Sequence, residues 1–180
     1  MRFLHSSLAL SSLLAGILAF PLVALQTAES RAEAKASIQD WTLGLWRGVR
    51  YDSNDGSEAP IEIWVEPALG GMGKIEQLVV DSDDVTYRGL AVESIDPESG
   101  DPVRYYFNTV RSGIVELRGV VEIDRSEWRR VDAESTEESR LISERIAPNG
   151  WRRTQSISKD GGLSWTVLWR DELRFVSSKR

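Results

Sequence analysis

The sequence predicts an all-β protein, a closed antiparallel up-and-down β-barrel of about ten strands. From Trp41 onward, apolar and polar residues alternate with a period of two, the pattern of strands that bury one face. Short connectors of Gly, Asp, Asn and Ser interrupt this alternation at roughly every tenth residue. Nearly all of these connectors have hairpin length, so consecutive strands should pair antiparallel as a meander. About ten such strands without a long crossover favour a barrel over a Greek-key sandwich.

The alternation also gives the positions of the strands. We predict them at residues 45–52, 60–67, 72–81, 85–95, 103–110, 113–124, 127–134, 138–147, 150–158 and 163–176. No segment beyond residue 38 has the periodicity of an amphipathic helix. In the last strand, Asp171 interrupts an otherwise apolar face. A barrel with a partly polar interior would produce this interruption, and so would a misassigned period.

The residues before the barrel predict export. Arg2 gives a positively charged start, residues 8–20 form an apolar core, and Pro21 precedes a small-residue exit at Ala24 or Ala28. This is the layout of a secretory signal peptide, so we expect a secreted protein, in a bacterium a periplasmic one. A retained signal anchor is the alternative, because residues 8–25 form an uncharged run of 18 residues. The predicted organisation is a signal peptide at 1–25, a linker or short helix at 26–40, the barrel domain at 41–176 and a tail at 177–180.

Composition excludes several classes of function. The chain of 180 residues has no Cys and a single His, His5, which lies inside the predicted signal peptide. The mature protein would therefore lack the residues for Ser-His-Asp or Cys-His catalysis, a His-ligated haem, a His/Cys zinc site or a disulfide. With 22 basic against 28 acidic residues and no basic block, the chain is also a poor nucleic-acid binder. We expect no cofactor and no metal ion.

The first strand opens with a Gly-x-Trp motif in the segment LGLWRG at residues 43–48. This motif resembles the Gly-x-Trp signature of lipocalins and their calycin relatives, in which the glycine lets the chain enter the barrel tightly and the tryptophan fills the base. The resemblance implies these structural roles for Gly44 and Trp46. It also implies a cation from the last strand across the Trp46 indole, a place that Arg174 or Arg170 could take.

The segment SKDGGLSW at residues 158–165 matches the Asp-box pattern Ser-x-Asp-x-Gly-x-x-Trp. It predicts a tight hairpin in which Asp160 accepts backbone N–H bonds, Gly162 takes a positive φ and Trp165 packs beneath the turn. In a β-propeller this motif would recur, and a single copy excludes that fold. We therefore assign its residues a structural rather than a catalytic role.

Together the two motifs resemble those of a family of bacterial calycin-like, lipocalin-like barrel domains of unknown function. In that family a Trp-x-Gly opening strand is matched by a closing hairpin of the form Ser-x-Asp-Gly-Gly-x-x-Trp. The resemblance extends from Trp41 to Phe175. It implies a closed antiparallel barrel, often exported, with no agreed activity. The lack of a usable His separates this chain from related barrels that bind haem.

Arginines within the predicted strands are the main candidates for a binding site. An arginine inside a small barrel can hold the carboxylate or phosphate of an amphiphilic ligand, while aromatic neighbours contact its apolar part. The residues that we predict to line such a site are Arg50, Arg104, Tyr106, Trp151 and Arg153. The alternative is that these arginines face solvent and pair with acidic residues on neighbouring strands.

The function that these observations favour is the binding of a small amphiphilic or anionic ligand in the barrel. No catalytic residue is assigned, since carboxylate pairs such as Glu62 and Glu66 are typical of a solvated strand face. Two alternatives stay open: a cofactor-free, carboxylate-dependent enzyme, and a structural or envelope-interaction protein whose barrel is filled by its own side chains. Arg and Glu on both faces of most strands argue against stable membrane insertion, and the sequence leaves the oligomeric state open.

Overall fold

Ten antiparallel strands form one closed barrel. The computed structural model describes residues 40–82, 86–110, 112–130 and 137–178. The predicted signal peptide at 1–25 and the linker up to residue 39 lie outside the described residues. The strands are β1 (Gly44–Asp52), β2 (Glu58–Ala68), β3 (Gly73–Asp81), β4 (Thr86–Ile95), β5 (Pro102–Asn108), β6 (Val115–Val121), β7 (Arg125–Arg130), β8 (Glu138–Ala147), β9 (Gly150–Ser158) and β10 (Thr166–Ser177).

Among the residues that the structure describes, the two helical elements are single 3₁₀ turns. One precedes β1 at Asp40–Thr42, and the other follows β2 at Leu69–Gly71. Within the described part of the chain, no helix has the length and apolar character that crossing a membrane requires.

The strand order is that of a simple meander. Each strand pairs antiparallel with its neighbours in sequence, and β1 pairs with β10 to close the barrel. Along this seam, Leu45 lies opposite Ser177 and Asp52 lies opposite Trp169. The prediction of an all-β, closed antiparallel barrel with ten strands is therefore confirmed.

Strands β6 and β10 are among those that are shorter than the alternation predicted. β6 covers Val115–Val121 rather than 113–124, because Gly113 has a φ of 99° and the Glu122 N–H donates to the Arg125 carbonyl in a turn. β10 begins at Thr166 rather than at 163, because the preceding residues are held in the hairpin after β9. The alternation of apolar and polar side chains therefore extends from the paired strand into the turn residues, and this is why it predicted strands that are too long.

A β-bulge in β10 changes which residues face the interior. Val167 pairs with Ser156 but Trp169 pairs with Gln155, so Leu168 is the extra residue. The sequence placed Val167 on the same face as Trp169. Because Ser156 and Gln155 point to opposite faces of β9, the bulge places Val167 and Trp169 on opposite faces instead.

Aromatic side chains fill one end of the barrel, which we call the base. Trp46 is 1% exposed, and its Nε1 donates a hydrogen bond to the Thr42 carbonyl at 2.8 Å. The rings of Trp41 and Trp151 lie edge-on to Trp46, with centroids 6.2 and 5.5 Å away. Gly44 enters the base with a φ of 113°, which residues with a side chain rarely adopt.

The predicted cation over Trp46 is wrong. Across the seam Trp46 lies opposite Phe175, whereas Arg174 lies opposite Arg47 on the outer face. Phe175 packs edge-on against Trp46 at a centroid distance of 5.3 Å. Because side chains alternate along a strand, the neighbour of Phe175 points to solvent, and Arg174 is exposed. Arg170 is exposed on the same outer face.

Ser158 and Asp160 hold the hairpin between β9 and β10. Asp160 accepts hydrogen bonds from the Ser164 hydroxyl at 2.6 Å and from the Ser164 N–H at 2.9 Å, and these bonds lower the pKa of Asp160 to about 2. The Gly162 N–H donates to the Ser158 hydroxyl at 2.8 Å, and Gly162 has a φ of 84°. Trp165 Nε1 donates to the Gly162 carbonyl at 3.1 Å. These contacts hold the segment SKDGGLSW in a tight turn between β9 and β10.

Replacing Gly48 by alanine should weaken the seam between β1 and β10. A Cβ at Gly48 would lie far inside the van der Waals distance of the Glu172 carbonyl oxygen, which belongs to the backbone and cannot rotate away. We expect the free energy of unfolding, measured by urea denaturation, to fall by roughly 1–3 kcal/mol or more. Gly150→Ala is the control, because its Cβ would chiefly meet the Ile146 side chain at 3.0 Å, which can move. Equal losses in the two variants would contradict this account.

Candidate functional site

The barrel contains a cavity of about 300 Å³ between the base and the opposite end of the barrel. This volume lies at the lower end of the range for small-molecule pockets. The aliphatic residues of its wall are Leu78, Val110, Val115, Leu117, Leu141, Ile157 and Leu168, and the wall also contains the polar residues Asn108, Ser139 and Gln155. Its deeper part is aromatic and charged, formed by Arg50, Tyr87, Arg104, Tyr106, Arg153 and Trp169.

A layer of charged side chains lies between the base and the cavity, and we call it the charged floor. Its members are Arg50, Lys74, Glu76, Glu93, Arg104, Arg153 and Asp171. A buried ion without a partner costs several kcal/mol, so such a layer requires close pairing. Each of the three carboxylates in the floor lies within 4.0 Å of two cations.

Glu76 lies at the centre of the charged floor. Arg104 binds it with both terminal nitrogens, Nη1 to Oε2 at 3.2 Å and Nη2 to Oε1 at 2.9 Å. Arg153 Nη1 approaches Oε1 to 3.1 Å. Burial alone would raise the pKa of Glu76, but the charges of Arg104 and Arg153 outweigh it and lower the pKa to about 2. Glu76 is therefore a carboxylate at every ordinary pH.

Glu93 connects the floor to the chain entry before β1. One of its oxygens forms a short contact with Arg104 Nη1, and the other lies 2.9 Å from Lys74 Nζ. Lys74 Nζ in turn donates a hydrogen bond to Thr42 Oγ1 at 3.1 Å. The lysine charge is thus held between a carboxylate and a hydroxyl, away from the cavity.

Asp171 and Arg50 form the part of the floor that spans the seam. Asp171 is 0% exposed, and its two oxygens accept bonds from Arg50 Nε at 2.7 Å and Nη2 at 2.9 Å. This two-point geometry is the strongest arrangement of an arginine and a carboxylate. The Arg50 guanidinium also stacks on Trp169 at 3.9 Å from the ring centroid.

Arg153 has hydrogen-bonding capacity that the floor does not use. It is 2% exposed, and its Nε and Nη1 make no hydrogen bond with any described residue. Nη1 is close to Glu76, but its N–H does not point along that contact, so the attraction there is Coulombic rather than a hydrogen bond. Since buried N–H donors are almost always satisfied, a buried guanidinium with free donors at a cavity wall is a candidate ligand contact.

Tyr87 and Tyr106 meet hydroxyl to hydroxyl in a short hydrogen bond at the cavity wall. Burial and the neighbouring Tyr87 raise the pKa of Tyr106 far above its ordinary value, so Tyr106 stays protonated. One hydroxyl donates to the other, which leaves the pair one proton to donate to a ligand. Gly89 makes room for this pair, because a Cβ there would lie 3.0 Å from ring atoms of Tyr106.

The structure brings together four of the five residues that the sequence proposed for a site. Arg50, Arg104, Tyr106 and Arg153 all line the cavity. Trp151 does not line it and lies in the base instead, 5.9 Å from Trp41 between ring centroids. Alternation identifies the face on which a residue lies, but not its depth along the barrel, and this explains the correction.

Sequence reasoning did not find Lys74, Glu76 and Glu93. The signal was present, because Lys74 and Glu76 share the parity of the apolar residue Leu78 along β3. A charged residue on an apolar face is usually read as a break in the pattern, since charges are rarely buried without partners. Those partners are on other strands and could not be read from β3. The pair Glu62 and Arg47, in contrast, lies on the outer face at 2.8 Å, in the solvated role expected of Glu62.

Comparisons with known proteins add no assignment. No protein-family model matches this chain, and no curated protein sequence matches it. Among the described residues, no group of three or more His, Cys, Asp or Glu side chains is arranged to hold a metal ion. The candidate site is therefore defined by its own geometry.

The lowered pKa of Glu76 predicts the response of the protein to acid. An unfolded chain titrates this carboxyl near 4.5 and the folded chain near about 2, so its stabilising effect is complete above 4.5 and is lost as the pH falls toward 2. The shift corresponds to roughly 3 kcal/mol. Glu76→Gln should be less stable at neutral pH and should lose less stability across this acid range than the wild type.

Urea denaturation at a series of pH values measures this difference. Glu62→Gln is the matched control, because Glu62 is an exposed glutamate paired with an arginine. We expect the control to follow the wild-type pH profile. A Glu76→Gln profile parallel to that of the wild type would contradict the assignment.

Proposed function

We propose that this protein binds a small amphiphilic or anionic molecule inside its barrel. The observation that supports the proposal is an internal cavity with an apolar wall and a buried arginine, Arg153, whose N–H donors are not all used. Apolar walls with a few well-placed polar groups are typical of small-molecule sites. The apolar side chains would contact the body of the ligand, and the floor would fix its polar end.

The chemistry of the buried carboxylates favours binding over proton transfer. A general acid or base needs a pKa near the working pH. The pKa of Glu76 is lowered to about 2 by its arginine partners, and Glu93 is bound by both Arg104 and Lys74. These side chains act as fixed counterions for the arginines. We therefore place the binding function ahead of carboxylate-dependent catalysis.

The likeness to calycin-type barrels and the signal-like segment complete the proposal. Gly44 and Trp46 occupy the tight entry and the filled base that the likeness implies. We propose a calycin-like barrel that works outside the cytoplasm, in the bacterial periplasm, and binds its ligand at the end opposite the base. The support for the location is residues 1–25 of the sequence.

Filling the cavity tests the proposed function. Leu141 is buried and lines the cavity, so Leu141→Trp should occupy the space that a ligand needs. Ile157→Trp, also on the wall, is a second filling variant with a less buried starting residue. Val120→Trp is the matched control, because Val120 is 62% exposed on the outer face.

Isothermal titration calorimetry with octanoate and with 1-octanol provides the measurement. We expect the wild type and Val120→Trp to bind at least one probe saturably at one site. Binding should weaken by about tenfold or more in the filling variants that unfold cooperatively. If the wild type binds neither probe, or if both filled barrels bind as well as the wild type, the proposed function is wrong.

A further inference from the structure

We infer that the ligand is a monoanion whose charged group lies against Arg153 and Arg50 at the floor of the cavity. This inference rests on the proposed binding function and adds to it the charge and the orientation of the ligand. It follows from the charge balance of the floor, from the unused donors above it and from the distribution of apolar side chains in the cavity.

The charged floor has one cation more than it has carboxylates. Its cations are Arg50, Lys74, Arg104 and Arg153, and its carboxylates are Glu76, Glu93 and Asp171. Four positive charges against three negative ones leave a single positive charge. Arg130 and Glu137 also line the cavity, and as one cation and one carboxylate they leave this balance unchanged.

An unbalanced charge in a buried layer is unfavourable, and a ligand can remove the imbalance. A buried ion is stabilised only when an opposite charge and hydrogen bonds replace its hydration. A monoanion brings the floor to neutrality. A neutral ligand leaves the positive charge uncompensated and displaces water from it, while a dianion replaces it by an unbalanced negative charge. The floor is therefore complementary to one negative charge.

Unused donors show where that charge lies. Lys74 is paired with Glu93, and the terminal nitrogens of Arg104 bind Glu76 and Glu93 while its Nε makes no hydrogen bond with a described residue. Arg50 is held by Asp171, and 13% of its side chain is exposed. Arg153 keeps an Nε and an Nη1 without hydrogen bonds. The hydroxyl pair of Tyr87 and Tyr106 has one proton to donate at the same wall. These donors match the several oxygens of a carboxylate or sulfonate.

The rest of the cavity gives the orientation. Leu117 and Leu141 line the cavity on β6 and β8, and Val115 and Ile157 extend the apolar part of the wall away from the base. A ligand with its charge on the floor therefore directs its apolar part toward the end opposite Trp46. The volume of about 300 Å³ limits this part to a short chain or a small ring.

Four probes with the same eight-carbon chain separate charge from apolar burial. We would titrate the wild type with octanoate and octane-1-sulfonate as monoanions, 1-octanol as the neutral probe and octyl phosphate at pH 8 as the dianion. Charge-assisted hydrogen bonds to a buried guanidinium predict that the monoanions bind about ten- to a hundredfold more tightly than 1-octanol. Octyl phosphate should bind more weakly than either monoanion.

Variants of the floor change its charge by one unit in each direction. Arg50→Gln makes the floor neutral and should bring the affinity ratio of octanoate to 1-octanol close to one. Glu93→Gln adds a positive charge and should shift the preference toward octyl phosphate. Arg50→Lys preserves the charge and should keep the monoanion preference, which separates the effect of charge from damage to the fold. Arg47→Gln, on the outer face, is the matched control and should leave all ratios unchanged.

The outcomes separate this inference from the function on which it rests. If the wild type binds 1-octanol as tightly as octanoate, the ligand is not selected by charge, while the binding function stands. If octyl phosphate binds most tightly, or if Arg50→Gln keeps the wild-type preference, the charge balance is not the cause of selection. If no probe binds, the binding function itself is wrong.

Discussion

The pairing of β1 with β10 is the constraint on which the rest of the barrel depends. Among the described strands, it alone joins elements from opposite ends of the domain. It brings Trp46 to Phe175 in the base and Arg50 to Asp171 in the charged floor. Closing so long a loop costs conformational entropy, which grows only slowly with loop length. A buried two-point ion pair and an aromatic contact on the same seam oppose that cost.

The charged floor ties ligand binding to stability. Buried ion pairs seldom stabilise a fold more than apolar packing would, but removing one partner leaves an unpaired charge and is costly. Arg153 illustrates this, since it lies beside Glu76 while its Nε and Nη1 make no hydrogen bond with a described residue. A bound anion would neutralise the layer and stabilise the folded state by mass action. Under the binding function that we propose, the charged floor would therefore serve to bind the ligand as well as to stabilise the fold.

Features of the barrel that depend on neighbouring residues in the sequence could be predicted, and features that depend on residues from other strands could not. Alternation and hairpin chemistry predicted ten strands and their closure, and Arg104, Arg153 and Tyr106, which the sequence proposed for a site, line the cavity. Register across the seam could not be read in the same way, which is why Phe175 rather than Arg174 contacts Trp46. The bulge at Leu168 has no local signature in an alternating segment. The burial of a charged residue can be explained only once its counterions on neighbouring strands are known. Arg104, for example, is the counterion of two carboxylates.

The outer face of the seam has a consequence for solubility. Arg47 and Arg174 lie opposite each other there, and Arg170 lies two outward positions further along β10, beyond Glu172. A closed barrel has no free edge strand, but any opening of the seam exposes the unpaired backbone of β1 and β10, which could then pair with another chain. Like charges on both edges oppose the association of one opened molecule with another. Within the closed barrel, Glu62 relieves this repulsion by pairing with Arg47. The exposed arginines thus oppose aggregation through β1 and β10, the two strands that pair although they lie at opposite ends of the domain sequence.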